Sequence, residues 1–157
     1  MIENRPEILK NLIEPWEPVK KPGPAIVDWK GRRVCASYGM QESGYDIRLA
    51  EPVTLIAGHM IAALALEHIR VPKNMVVDVK DKSTNLRLGI RGSGTAEPGW
   101  YGHLTLELLY NPILGGPTVL EMPEGWGIAT LRFSYLKEEA DYGNGKYQGA
   151  TVIQSAR

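Results

Sequence analysis

Residues Thr95–Asn111 read T-A-E-P-G-W-Y-G-H-L-T-L-E-L-L-Y-N, and their second half decides the fold class. From His103 onward polar and apolar residues alternate. His103, Thr105 and Glu107 fall on one face; Leu104, Leu106 and Leu108 fall on the other. That period belongs to a half-buried strand. Working outward, short runs of the same kind recur: Ala25–Trp29, Val34–Ser37, Tyr45–Leu49, Val53–Ile56, Met60–His68, Met75–Lys80, Gly102–Tyr110, Thr118–Met122 and Trp126–Tyr135. Glycine or proline separates most of them, for example Gly39, Pro52, Pro72, Pro98-Gly99 and Gly115-Gly116-Pro117. This spacing predicts an all-β sandwich or barrel, not a βαβ fold. The alanine and leucine content of Met60–Ile69 also suits a helix. Pro72 and the neighbouring strand spacing favour a strand. Asn85–Leu88 reads as a short helical turn.

The two ends differ from this middle. Residues 1–30 carry Pro6, Pro15, Pro18, Pro22 and Pro24. A short helix over Glu7–Ile13 is expected from the spacing of Ile8, Leu9, Leu12 and Ile13, with Pro15 ending it. Glu14–Pro24 is expected to be irregular or extended. The segment 1–30 therefore reads as an arm lying on the body or on a neighbouring subunit, and 31–136 as the β core. Residues 137–157 turn polar and glycine-bearing and lack a strand period until Ala150–Ile153. They read either as a frayed terminus or as a segment that closes over a ligand with Tyr142, Lys146, Tyr147 and Gln148.

Composition narrows the function. A chain of 157 residues favours one domain, and 43% hydrophobic residues is too many for disorder. Lys+Arg and Asp+Glu balance at 18 each, so no global field argues for a nucleic-acid polymer or a membrane surface. No apolar run approaches the roughly 20 residues that span a bilayer. The first residues, M-I-E-N-R-P, contain no apolar signal region, so the expected location is the cytoplasm. Cys35 is the single cysteine and can supply neither an internal disulfide nor a cysteine-based zinc site. His59, His68 and His103 lie far apart in sequence, and each reads as a solvated or core histidine.

Two groups of residues could carry chemistry. Lys82, Ser83, Thr84 and Arg87 set two hydroxyls between basic groups, which suits phosphate oxygens. The same residues also fit a polar turn before a solvated helix end. No G-x-x-x-x-G-K-[ST] loop is present. Glu107 is an acidic residue in mid-strand, where propensity disfavours it. Taken alone it reads as a solvent-facing side chain or as a functional carboxylate. Asp46 reads as a turn-anchoring or salt-bridged residue.

Five segments in order sharpen these readings: S-Y-G-M-Q-E-S-G-Y-D-I-R-L (Ser37–Leu49), K-S-T-N-L-R-L-G-I (Lys82–Ile90), T-A-E-P-G-W-Y-G-H-L-T-L-E-L (Thr95–Leu108), G-I-A (Gly127–Ala129) and G-K-Y-Q-G (Gly145–Gly149). Together they resemble the dCTP deaminases, which share a trimeric β fold with the trimeric dUTPases. The resemblance spans roughly Ser37 to Gln148. It implies a dUTPase-like distorted β-barrel or jelly roll with short helical turns, assembled as a homotrimer.

The resemblance also implies roles. Glu107 would be the general base and proton shuttle for water attacking C4 of cytosine. Ser83 and the carbonyl of Ala96 would hold that water, and Arg87 would orient the glutamate and favour its ionised form. Lys82 and Thr84 would meet phosphates; Glu97 would lie near the deoxyribose. Thr105 and Leu106 would flank the base through strand backbone groups, while Lys146, Tyr147 and Gln148 would close over the nucleotide. Magnesium would arrive bound through the triphosphate. Zinc is not expected, because zinc deaminases need H-x-E and P-C-x-x-C. The implied reaction is dCTP + water → dUTP + ammonia, with dTTP as a possible inhibitor. A dUTP diphosphatase, a bifunctional deaminase–diphosphatase and a non-catalytic nucleotide-binding trimer are the alternatives. Four features depart from the family pattern: Lys82 replaces the usual arginine, the link from Arg87 to Glu97 is short, Leu108–Asn111 runs one residue long, and Ala150 stands where glutamine is common.

Overall fold

Strands form where one side of the chain can be buried, and this happens along most of the sequence. The structure is a computed structural model and describes residues 1–156. In chain order the elements are β1 (Ile2–Glu3), α1 (Pro6–Leu9), β2 (Ile13–Glu14), β3 (Lys21–Val27), β4 (Arg33–Met40), β5 (Tyr45–Arg48), β6 (Val53–Ile56), β7 (Met60–Arg70), β8 (Met75–Asp81), α2 (Ser83–Leu88), β9 (Ile90–Arg91), β10 (Gly94–Ala96), β11 (Tyr101–Tyr110), β12 (Val119–Met122) and β13 (Gly127–Tyr135). The all-β expectation with short helical turns holds.

A seven-stranded sheet runs β10-β8-β13-β5-β4-β3, with β1 added on β13; a four-stranded sheet runs β2-β7-β11-β9; β12 and β6 form a two-stranded ribbon. All these pairings are antiparallel. The inner faces merge into one core that includes Trp126, Tyr45, Tyr110 and Phe133. Among the described residues no helix is long and apolar enough to cross a membrane.

The ambiguous stretch became the strand β7. Ala63, Ala65, Glu67 and Ile69 alternate inward, and the strand pairs with β11 along nearly its full length. Buried Glu67 is matched by Arg48, whose Nε donates to Oε1 at 2.8 Å and whose backbone N–H donates to Oε2 at 2.9 Å. Burial still holds the Glu67 carboxyl above its ordinary range.

Three local expectations need correction. The first helix spans only Pro6–Leu9, because Ile13 leaves it to pair with Ile69 on β7. The stretch Glu14–Pro24, expected to be irregular or extended, is extended from Lys21 onward. Pro22 and Pro24 sit in β3, an edge strand whose register shifts between Pro22 and Ala25, where a missing N–H is tolerated. Ala150–Ile153 forms no strand; only Ala150 makes a parallel bridge, to Gly102. The short strands β1, β2, β9 and β10 carried no sequence period, since two or three residues are too few to show one.

Candidate active site

The cleft begins at a turn. Glu97-Pro98-Gly99-Trp100 closes with Trp100 N–H donating to the Glu97 carbonyl at 3.0 Å, and Gly99 adopts φ +82°. Proline then glycine at the central positions suits a type II turn, which requires a positive φ at the third residue. The turn carries the chain from β10, paired with β8, to β11 in the other sheet. A cleft of about 440 Å³ opens there.

β11 supplies one side of it. Thr105 is half-buried and Glu107 exposed, while Leu104, Leu106 and Leu108 are buried, so the expected alternation holds. The segment Gly92–Glu97 lines the cleft around Glu107, and Ala96 is held there by its pairing with Val77. The tail covers the opposite end. Gln148 Oε1 accepts from Tyr101 N–H at 2.8 Å, and its Nε2 donates to the Gly99 and Gly143 carbonyls, each at 2.9 Å. The Trp100 indole donates to the Tyr147 carbonyl at 2.9 Å, His103 N–H donates to the Ala150 carbonyl at 2.7 Å, and Gln154 N–H donates to Thr105 Oγ1 at 2.9 Å. Arg157 lies outside the described residues.

The other half of the expected site is elsewhere. Ser83 and Arg87 are exposed on α2 and Thr84 is half-buried; none of the three lines the cleft. Among the described residues Arg87 and Glu107 make no side-chain hydrogen bond or ion pair. One chain therefore gathers Ala96, Glu97, Thr105, Leu106, Glu107 and Tyr147 in the cleft. It leaves Ser83, Thr84 and Arg87 outside. Lys146 is exposed and does not line the cleft. The Gln148 side chain is engaged in pinning the tail.

Lys82 departs from the phosphate-binding expectation. Its side chain is 9% exposed, and its ammonium faces inward to Asp46, which is 4% exposed. Asp46 is thus the salt-bridged residue that its sequence context allowed.

Trp100, His103 and Ser93 line the cleft but were not assigned to it from sequence, whereas Tyr142, read there as a tail residue suited to closing over a ligand, also lines it. His103 was the most legible of them, because it shares a strand face with Thr105 and Glu107. It meets His68 edge to face, with ring centroids 5.4 Å apart, and its Nδ1 lies 3.2 Å from the Ala65 carbonyl. Burial, and next the neighbouring His103, push the His68 pKa down. Among the described residues lining the cleft, Glu97 and Glu107 are the carboxylates, and no lysine or arginine is present.

No family model matches the chain. The fold is that of dUTPases and dCTP deaminases. A dUTPase from phage phi11 of S. aureus, whose structure concerns coordination of a structural Mg(II) ion, aligns with TM-score 0.56 at 15% identity, covering 81% of this chain and 99% of that one. The 2'-deoxycytidine 5'-triphosphate deaminase of Agrobacterium tumefaciens aligns with TM-score 0.53 at 16% identity over 61% of this chain and 40% of that one. In sequence, the dCTP deaminase of Thermococcus gammatolerans is 34% identical over 150 residues, covering 82% of this chain and 93% of the relative. The chain belongs to the dCTP deaminase family.

Proposed function

We propose that the protein hydrolyses dCTP to dUTP and ammonia at a site completed by a second copy of the chain. The observation that carries this reading is the placement of Glu107. It is an exposed, unpartnered carboxylate among the described residues, on one cleft wall with Thr105 and close in the cleft to Ala96. Glu107 would take a proton from water as the oxygen adds to C4, and deliver protons to N3 and then to the departing amine. The C4–N bond breaks as ammonia leaves and C4=O forms. Arg87 and Ser83 of a neighbouring copy would approach Glu107 from the solvent side, where both are exposed. The guanidinium would keep the carboxylate ionised, and the hydroxyl would hold the water. A homotrimer would supply such a cleft between each pair of subunits.

The cleft walls lack lysine and arginine among the described residues, so the triphosphate must meet cations brought from outside. Arg87 of the neighbour, Lys146 of the tail and magnesium carried on the phosphates are the groups in our reading. Among the described residues no group of three or more His, Cys, Asp or Glu side chains gathers at one point. In this reading magnesium would be held mostly by the triphosphate and water. A regulatory role for dTTP belongs to the same proposal, since it presents the same sugar and phosphates.

Glu97, at the mouth of the cleft, keeps a bifunctional deaminase–diphosphatase in play. Asp46 does not support it, because both carboxylate oxygens are engaged internally. The deciding experiment incubates the protein with dCTP and magnesium and measures ammonia, pyrophosphate and dUMP. Ammonia with dUTP supports the deaminase; ammonia with pyrophosphate and dUMP supports the bifunctional enzyme. Neither product, with nucleotide bound, leaves a non-catalytic trimer and rejects the proposal.

A further inference from the structure

The helix α2 has six residues, too few to be stable by itself. Its orientation must come from what its inward face touches. Asn85 and Leu88 are buried, and Lys82 precedes them by one turn, so Lys82, Asn85 and Leu88 form the inward row while Ser83, Leu86 and Arg87 face out.

Each inward polar group is saturated. The Lys82 ammonium donates to Asp46 Oδ2, to the Ser37 carbonyl at 3.0 Å and to Ser37 Oγ at 3.4 Å. An ammonium has three donors, and three acceptors take them. Asp46 Oδ1 accepts from Thr130 Oγ1 at 2.5 Å. Asn85 Nδ2 donates to the Gly127 and Ile128 carbonyls, each at 3.0 Å, and Oδ1 accepts from the Trp126 indole at 2.8 Å. Ser37 lies on β4, Asp46 on β5 and Thr130 on β13, so the pair fastens the start of α2 to three neighbouring strands. Asn85 fastens its middle to β13 and the residue before it.

We infer that Lys82 and Asp46 are a positioning pair that, with Asn85, sets the direction in which α2 presents Ser83 and Arg87, and that Lys82 gives no proton to the nucleotide's phosphates. What α2 is positioned for rests on the deaminase reading; that it is positioned by this pair does not. Two anchors one helical turn apart fix rotation about the axis as well as translation. A single pivot would leave Ser83 and Arg87 free to swing. Lys82 lacks the planar fork that would let one end hold Asp46 while another met a phosphate.

The test uses the full-length protein with Lys82→Met, Lys82→Arg, Asp46→Asn and the Lys82→Met/Asp46→Asn double variant. Lys82→Met should lower kcat by about 10–100-fold, the effect of small misplacements of reacting groups. Its affinities for dCTP and deoxycytidine should change by the same factor. Asp46→Asn, which keeps shape, should reproduce the loss in milder form. Lys82→Arg should restore most of kcat, and the double variant should be no worse than Lys82→Met. Hydrogen exchange should quicken at the amides of residues 83–89 in Lys82→Met and Asp46→Asn while β11 stays protected. Normal kcat with affinity lost for dCTP but not deoxycytidine would overturn the inference and make Lys82 a phosphate ligand. Unchanged exchange over 83–89 would overturn it as well. If the wild-type protein releases no ammonia, the deaminase reading fails, and the exchange data alone decide whether the pair positions α2.

Discussion

The two halves of the candidate site are built in opposite ways. The cleft half is assembled within one chain: β11 and the tail are joined by backbone hydrogen bonds, and Gly92–Glu97 is held beside them by the pairing of β10 with β8. The α2 half has a rigid back and an open front. Its polar anchors are buried and saturated, while Ser83 and Arg87 face outward without a partner among the described residues. An exposed face on a firmly held helix fits the proposal that the facing wall comes from another copy.

The largest effect should come from the cleft half. Glu107→Gln keeps the shape but removes the proposed base, and should lower deamination by roughly 10²–10⁴-fold while dCTP still binds. Ammonia release and calorimetric binding measure the two parts, and near-normal turnover would reject the role of Glu107. Mixed assembly tests whether the two halves come from different copies. An Arg87→Ala chain and a Glu107→Gln chain, each nearly inactive alone, should regain activity when co-assembled, because some clefts receive both intact groups. Light scattering should show about three times the 17.4 kDa chain mass. A trimer without complementation would put both groups in one subunit.

Next in size is the back of α2. Asn85→Ala leaves the Trp126 indole N–H and two carbonyls without their partner. A buried group so stranded costs about 1–3 kcal/mol, which urea unfolding would register. A loss below the error of that measurement would remove Asn85 as an anchor of the helix.

Smaller again is the tail. Gln148→Ala removes three side-chain hydrogen bonds, each worth about 1 kcal/mol net. The tail should then be cut faster by proteases and KM for dCTP should rise, with global stability nearly unchanged. A KM equal to wild type would detach the tail from nucleotide binding.

The smallest effect concerns His68. Its folded pKa lies below its ordinary 6.5. The unfolded chain therefore takes up a proton first as pH falls. Stability is full above the unfolded pKa and is lost as pH falls through the folded value. The groups facing His68 are His103 and Tyr101 on β11, Glu14 on β2 and Arg70 on its own strand. Between pH 7 and 5 the wild type should lose more stability than His68→Gln; equal losses in urea titrations would remove His68 as a contributor.

The legibility of the structure follows from the physics of each signal. β6 was placed at Val53–Ile56 to the residue, and the cores of β7, β8, β11 and β13 were read with small errors at their ends. In these strands each residue's burial is set by its own alternation. β10 was missed although it holds Ala96, because a three-residue strand owes its existence to β8 beside it. The turn at Glu97–Trp100 was legible from Pro98-Gly99, since only glycine takes the φ of +82° at little cost.

The sequence by itself determined the β architecture, the motif order that marks the dCTP deaminase family and the residue types available for chemistry. Local backbone preference and side-chain chemistry are properties of the chain, and they survive without coordinates. Only the tertiary structure decided which of those residues are free to act. Lys82 looked like a phosphate ligand in its motif, yet Asp46, 36 residues away, claims its charge. His68 and His103 looked scattered, yet β7 and β11 set them opposite one another. The reason is that a charge or a ring is satisfied through space, by whichever strand the register brings beside it, and register is a property of the assembled sheet.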